Sequence, residues 1–409
     1  MKINKIGKLV KDTWLTLGIT IFLLCLLEAS LSLVFFVMDR FRASDPSPAD
    51  RRVSADTYSD ASWVNDYYKE LNRSFLAQWR PYVYWRREPY HGEHINIDTN
   101  GIRLTTLTKP SQQESRPPMK IFMFGGSTLW GTGARDAFTI PSIFAKELQN
   151  RGLATEIMNF GETGYVSTQE VITLLLQLQK GHRPDLVIFY DGVNDMYSAY
   201  QQQIAGLPQN EFNRVKEFNL SQPVKFKQRT AMVLKDMAMT LSTMRFMKGL
   251  LQKAGVWRMT VAVNPLLLDD LGPKSQALAE DVLATYKGNI EVVKALSDQY
   301  RFKYLFYWQP TIFHKVHLTE YERVQREEMQ SIDQFVHRTH EVIRQSRLAE
   351  RREYFFHDLS LVFADVRKPV YLDWCHFGES GNQIIAQRIA NDVLGLITTD
   401  KMAATADLR

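Results

Sequence analysis

Ser127 stands in FGGSTLWGTG, directly after an apolar run and the pair Gly125-Gly126. A serine hydroxyl is a poor nucleophile until a base takes its proton, and imidazole titrates in the right range for that task. His376 supplies an imidazole in DWCH, and Asp373, three residues earlier, is spaced to hold its tautomer and stabilise the imidazolium from one short turn. A tetrahedral intermediate needs donors aimed at its oxyanion, a job for a glycine N–H and an asparagine amide. NFGETG at 159–164 offers Gly164, with Gly161 competing for the same part, and DGVND at 191–195 offers Asn194. Together these residue types spell acyl transfer.

Each piece alone has a plainer reading. GGST lacks the lysine of a phosphate loop. Gly131-x-Gly133 is not followed by the third glycine of a dinucleotide turn, since position 136 is Asp. A nucleophile elbow G-x-S-x-G fails at Leu129. Ser127 and Asn194 are turn-forming types, and Asp373 with His376 would cap a helix. What favours chemistry is the joint occurrence of the four segments, each at a connection where a parallel sheet places its sites.

The elements read as follows. Residues 119–125, 155–160, 185–192 and 302–310 are buried-strand runs, alternating with helical patterns over 137–151, 168–180 and 319–350. A short strand near 353–357 and a helix over 379–396 follow. This alternation predicts an α/β fold with a parallel sheet covered on both faces, whose sites lie at the carboxyl ends of the strands. Residues 196–300 pattern as helix without a strand and are methionine-rich between 230 and 250, either core filler or a cap over the site. Residues 57–110 are aromatic-rich and offer no chemistry; Asn100-Gly101 within an alternating stretch predicts a hairpin. Trp130 is placed to line an acyl or sugar pocket or to pack, and Gln309, ending a strand, to face the cleft or make a turn. His91/His94, His314/His317 and His337/His340 repeat at three-residue spacing, but none has an acidic or thiol ligand arranged with it, so no metal is expected.

Residues 14–38 form an apolar run with one charge, Glu28. As a helix the run is about 37 Å long, enough to cross roughly 30 Å of hydrocarbon. It is too long for a signal-peptide core and no small-residue cleavage site follows, so the reading is an uncleaved anchor. Glu28 is costly at this depth unless protonated or paired: it reads either as a contact point for a partner helix or as a tolerated charge in an otherwise strong span. Lys2, Lys5, Lys8 and Lys11 precede the run, whereas Arg40, Arg42, Arg51 and Arg52 are diluted by Asp39, Asp45 and Asp50. The denser positive side stays cytoplasmic, and the remainder is expected outside the cytoplasm. Residues 44–52 read as a linker.

Composition fits a folded protein with one span. Of 409 residues 45% are hydrophobic, and a mean hydropathy of −0.26 excludes a polytopic membrane protein. Fifty basic against 45 acidic residues leave +5, too little to argue for nucleic acid. Cys25 and Cys375 cannot build a disulfide framework.

In their order, the four segments resemble the SGNH (GDSL-like) hydrolase superfamily, whose Ser, Gly, Asn and His lie in successive blocks. FGGST resembles the first, with Gly126 where the family has Asp. NFGETG aligns Gly164 with the oxyanion glycine, GVND aligns Asn194, and DWCH aligns Asp373 and His376. The resemblance spans about residues 119–396 and is interrupted by the insertion. It implies a flavodoxin-like three-layer α/β/α sandwich with a central parallel sheet, and esterase chemistry without a cofactor. The anchor and hairpin region are similar to those of membrane-anchored bacterial members. The expected organisation is a tail (1–13), an anchor (14–38), a linker with a small hairpin region (39–110) and a hydrolase domain (111–400) with a helical insertion at about 196–300. The expected function is a serine esterase removing a small acyl group, acetyl in the simplest case, from an extracytoplasmic glycan or lipid through an acyl-enzyme. In a Gram-negative cell that places the site on the periplasmic side of the inner membrane. An acyltransferase delivering the group to a sugar hydroxyl shares the same acyl-enzyme. A non-catalytic subunit of an envelope complex is the third reading, against which the intact Ser127, Asp373 and His376 argue.

Overall fold

The computed structural model describes residues 2–42, 50–59, 61–105, 117–221, 230, 240–253, 272 and 274–406. Linker residues 44–49 and methionine-rich residues 231–239 lie outside this set. The described residues fall into two units, one of residues up to 50 with those from 212 to 253, the other of 51–211 with 274–406.

The larger unit is built on nine strands: β1 (Ala77–Arg80), β2 (Tyr84–Arg87), β3 (Tyr90–His91), β4 (Asn96–Ile97), β5 (Met119–Gly125), β6 (Thr155–Asn159), β7 (Leu186–Asp191), β8 (Lys303–Trp308) and β9 (Phe356–Asp358). The last five make one parallel sheet in the order β6-β5-β7-β8-β9. That is the flavodoxin-like order, whose reversal between the first and third strands opens a crevice at their carboxyl ends. Because both faces are covered, β7 is buried at every position and β5 and β8 nearly so, which is why these runs read as continuously apolar. Register puts Phe124 beside Phe189 and Phe189 beside Phe306. Their rings stack at 5.2 Å and 4.4 Å, and Phe160 extends the stack at 5.0 Å from Phe124. Such pairs contribute about 0.5–1.5 kcal/mol each beyond burial, and they fix the strand ends that bear the site.

Twelve helices are described: α1 (Lys2–Arg42), α2 (Val64–Arg73), α3 (Ser127–Trp130), α4 (Ile140–Asn150), α5 (Ser167–Gln179), α6 (Val193–Gln202), α7 (Glu211–Ser221), α8 (Ser242–Lys253), α9 (Lys274–Tyr300), α10 (Glu320–Glu328), α11 (Gln330–Ser346) and α12 (Glu379–Ala406). α4 packs with α12, while α9 packs with α5, α6 and α11, giving the outer layers of a three-layer sandwich. The single helix expected over 319–350 is two helices. Met329, at φ −112° and ψ 20°, leaves the helical region between them. Segment 320–328 has no apolar stripe, whereas α11 buries Ile332, Phe335, Val336, Val342 and Ile343, so the two halves satisfy different surroundings. The last strand falls at Phe356–Asp358 because Arg352–Tyr354 is a short 3-10 turn. The closing helix runs on to Ala406.

The hairpin expected around Asn100-Gly101 is reduced to a tight turn between the bridge partners Ile97 and Arg103. Asp98 Oδ1 accepts from the N–H groups of Asn100 and Ile102, and Gly101 takes φ +78°. A longer hairpin, β1–β2, precedes it.

In the smaller unit α1 is one continuous helix whose stretch Lys11–Met38 is long and apolar enough to cross a membrane. Glu28 meets a helix of the same chain: its carboxylate accepts from the N–H groups of Ser242 and Thr243 and from the Thr243 hydroxyl. The partner anticipated for Glu28 is therefore supplied by the insertion.

Candidate active site

Ser127 opens α3 at the end of β5, and its Oγ lies 2.6 Å from His376 Nε2. His376 Nδ1 lies 2.7 Å and 2.9 Å from the two oxygens of Asp373. Asp373 Oδ1 also accepts from the backbone N–H of Cys375 and of His376, and Arg52 Nη1 stands 3.6 Å from Oδ2. Burial raises the Asp373 pKa, but His376, Arg52 and the hydrogen bonds outweigh it and hold the carboxyl well below its ordinary value. An ionised carboxylate only accepts, so Nδ1 carries the proton and Nε2 presents its lone pair to the serine hydroxyl. The arrangement can draw a proton from Ser127 and return it to a leaving group.

Asp373, Cys375 and His376 also bring ligand-type atoms within 4.8 Å of one another. As a metal set they are poorly disposed. The Cys375 thiol is raised well above its usual range by burial and by Asp373, so it keeps its proton, and His376 Nδ1 is committed to Asp373.

The loop carrying Asp373 and His376 is held by groups from elsewhere. Glu322 on α10 accepts from the N–H groups of Val370 and Tyr371 at 2.9 and 3.1 Å and is paired with Lys315, both side chains being fully buried. Tyr321 donates to the Leu372 carbonyl and the Ile312 N–H to that of Trp374.

Asn194 lies in the first turn of α6, after Gly192 at φ +102°. One N–H of its amide donates to the Tyr165 carbonyl at 2.8 Å, and its Oδ1 accepts from Gln209 Nε2 at 3.2 Å. A Cβ on Gly126 would stand 2.3 Å from Asn194 Nδ2. A side chain at position 126 would therefore displace the Asn194 amide. Asp195 accepts from Ser167 N and Oγ, tying α6 to the start of α5 and to the glycine loop. In that loop the Gly161 N–H is spent on Asn159 Oδ1 at 3.0 Å, whereas Gly164 is buried with φ +77° beside Gln209 and Trp85.

Two expectations are corrected. Trp130 does not line a cleft; it is fully buried, with the guanidinium carbons of Arg87 and Arg103 at 3.9 and 4.4 Å from its ring. Gln309 is buried as well and its amide is spent on the Thr128 hydroxyl, beside Ser127, so it positions α3 rather than facing substrate. The histidine pairs regroup: His314 packs on both His337 and His340, and acidic partners are present, Asp333 at 3.0 Å from His337 and Asp358 at 3.2 Å from His340. Burial and the two neighbouring imidazoles push His314 down to about 3.

The described part of residues 57–110, read as offering no chemistry, holds the site loops through arginines. Arg103 donates to the carbonyls of Gly131 and Ala134, both at 2.7 Å, and pairs with Asp136 at 2.8 Å. Arg86 donates to the Phe160 carbonyl, and Arg87 donates to Thr163 and stands 3.6 Å from Glu162. The sequence signal was the adjacency of Arg86-Arg87 to an aromatic run, which by itself reads as surface.

A doubly wound parallel sheet with a Ser-His-Asp line at its carboxyl edge defines a serine ester hydrolase of the α/β/α class. The chain belongs to the GDSL-like lipase/acylhydrolase family, whose model matches residues 121–389, about two thirds of its length. Among solved structures it is similar to the acetyl xylan esterase AlAXEase, at 15% identity over 67% of this chain and 100% of that one, with a TM-score of 0.34. An acetylxylan esterase from Geobacillus stearothermophilus matches at 13% identity over 67% and 94%, TM-score 0.32. A lipase from a goat rumen metagenome matches at 12% over 66% and 97%, TM-score 0.36. No curated protein matches the chain.

Proposed function

We propose that this hydrolase removes a small acyl group from a glycan or lipid outside the cytoplasm, with Ser127 as nucleophile, His376 as general base and acid, and Asp373 as its orienting carboxylate. The observation that carries the reading is the 2.6 Å approach of Ser127 Oγ to a His376 whose other nitrogen is committed to Asp373. Ser127 attacks the ester carbonyl, its proton passes to Nε2, and the alkoxide leaves with that proton. Water then repeats the sequence on the acyl-enzyme. Asn194 and the Gly164 N–H are the oxyanion donors, because the Gly161 N–H is already bonded. The lysine-rich start and the apolar helix support an anchor with a cytoplasmic N-terminus and the catalytic unit on the other side.

A fluorophosphonate should label the full-length protein, and Ser127→Ala should abolish both labelling and turnover of p-nitrophenyl acetate. A folded wild-type protein that is neither labelled nor active on short esters would overturn the hydrolase reading. Sugar acceptors added to the same assay should not divert the acyl group; accelerated p-nitrophenol release with the acetyl group recovered on the sugar instead of as acetate would assign a transferase. A cytoplasm-dependent reporter fused after Arg409 should stay silent, and its activity would reverse the orientation.

A further inference from the structure

We infer that the insertion is a membrane element: α8 enters the outer half of the bilayer beside the anchor, and α7 lies along the lipid surface. The inference rests on the anchor reading given above and adds a second lipid-contacting segment to it. Glu28 sits ten residues before Met38, about 15 Å along the helix at 1.5 Å per residue. At that depth an unpaired carboxylate is expensive, and so are the free N–H groups of a helix start. Here the two cancel: the N–H groups of Ser242 and Thr243, the first residues of α8, donate to Glu28, and the Thr243 hydroxyl adds a further bond at 2.9 Å. A carboxylate at a helix N-terminus is also favoured by the helix dipole.

The register then advances in one direction. Ser242 Oγ lies 2.8 Å from Ser32 Oγ, and the Arg245 guanidinium lies 4.3 Å from the centre of the Phe35 ring. α8 therefore runs alongside α1 towards Met38, and its twelve residues, about 18 Å, return the chain to the level where α1 leaves the apolar stretch. Both helices expose large apolar side chains at this level. Phe246, Met247 and Leu250 are 46–50% exposed on α8, and Val34 and Phe36 are exposed on α1. α7 exposes Phe212, Val215 and Phe218 at three-residue spacing, with Arg214, Lys216 and Glu217 between them. That is the pattern of a helix lying in the headgroup plane. Lipid is the occupant because the exposed face of α8 continues the exposed face of a membrane-crossing helix to which it is hydrogen-bonded.

The test uses the full chain with Cys25→Ser, reconstituted in vesicles of phosphatidylcholine and phosphatidylglycerol; Cys375 is buried. Met247→Cys carrying an environment-sensitive fluorophore should show blue-shifted emission, loss of quenching by aqueous iodide and gain of quenching by acyl-chain nitroxide lipids. Ser32→Cys with Ser242→Cys should form an intramolecular disulfide on oxidation, and Glu28→Ala should lower its yield. Turnover of p-nitrophenyl acetate by each variant reports that the catalytic unit is folded. Protein retained after carbonate extraction but fully iodide-quenched at position 247 would overturn the inference while leaving the anchor standing. Protein released by carbonate would overturn the anchor itself. A disulfide-linked dimer through position 247 would assign the face to a second copy instead of lipid.

Discussion

Replacing Gly126 by alanine tests the oxyanion side of the site without replacing any proposed catalytic residue. The backbone there has φ −81°, which alanine adopts without strain, so the fold should be retained. The added Cβ would stand 2.3 Å from Asn194 Nδ2. Reaching ordinary contact at 3.4 Å demands a retreat of about 1.1 Å. The amide has little slack, because Tyr165 O and Gln209 already hold it at 2.8 and 3.2 Å. A donor misplaced by about 1 Å forfeits most of its effect on the transition state, so kcat should fall about 10²-fold with KM little changed. Asn194→Ala should lose a similar factor, and combining the two should cost no more than the larger single loss. That coupling corresponds to about 2.7 kcal/mol. Aspartate at 126, the family's usual residue, should be at least as damaging in this chain. The assay is steady-state kinetics on one short-chain ester beside thermal melts. Folded Gly126→Ala within about twofold of wild-type kcat, or losses that multiply in the double variant, would refute the link between Gly126 and Asn194.

Other perturbations follow from buried charges. Glu322→Gln leaves Lys315 buried without its counter-charge and weakens the bonds to Val370 and Tyr371; denaturant unfolding should show a loss of about 3–5 kcal/mol, and kcat should drop in the folded fraction. Arg103→Lys cannot reproduce the fork reaching Gly131, Ala134 and Asp136, and should lower stability by about 2–4 kcal/mol in the same measurement. Asp191 is pushed up to about 8 by burial and by Asp195, so the fold keeps a proton that the unfolded chain has lost. Its contribution is complete below the ordinary carboxyl pKa and is lost as pH rises through about 8. Melting temperature should therefore decline from roughly pH 5 to 8, and Asp191→Asn should flatten that decline.

The sheet was legible because its three inner strands are buried on both faces, which forces unbroken apolar runs such as MKIFMFG and LVIFYD. The segments of Ser127, Asn194, Asp373 and His376 were legible for a related reason: a sheet edge must turn abruptly, and glycine and short polar residues mark the turn. What escaped is long-range. Arg103 meets Asp136 across 33 positions, and Glu322 meets Tyr371 across 49. No periodicity records such a bond, so a buried arginine reads as a surface one until the fold encloses it. Trp130 and Gln309 were left between cleft and packing roles for the same reason, since their environments are made by Arg87, Arg103 and Thr128 from other connections. The helix break at Met329 left no proline or glycine to announce it; it follows from two halves finding different packing partners.

The carboxylates around the site are sorted by environment. Asp373 is half-buried, yet it faces an imidazole, a guanidinium and two backbone N–H groups, and it stays ionised. Glu170, Asp191 and Asp195 are buried together; burial raises all three, and repulsion from neighbouring carboxylates adds to it at Glu170 and Asp191. Asp195 is the residue after Asn194, so negative charge there opposes the oxyanion that Asn194 is proposed to stabilise. At about 6 it is mostly ionised at neutrality, whereas Asp191, at about 8, is mostly protonated, so the buried group carries less than its full charge. The remaining lone pairs of Asp195 fix Ser167 and the turn that ends in Tyr165, whose carbonyl in turn orients the Asn194 amide. One acid is kept charged beside the base because the imidazolium needs it. Glu170 and Asp191 are held towards the neutral form, so their charge does not add to that of Asp195 beside the proposed oxyanion donors.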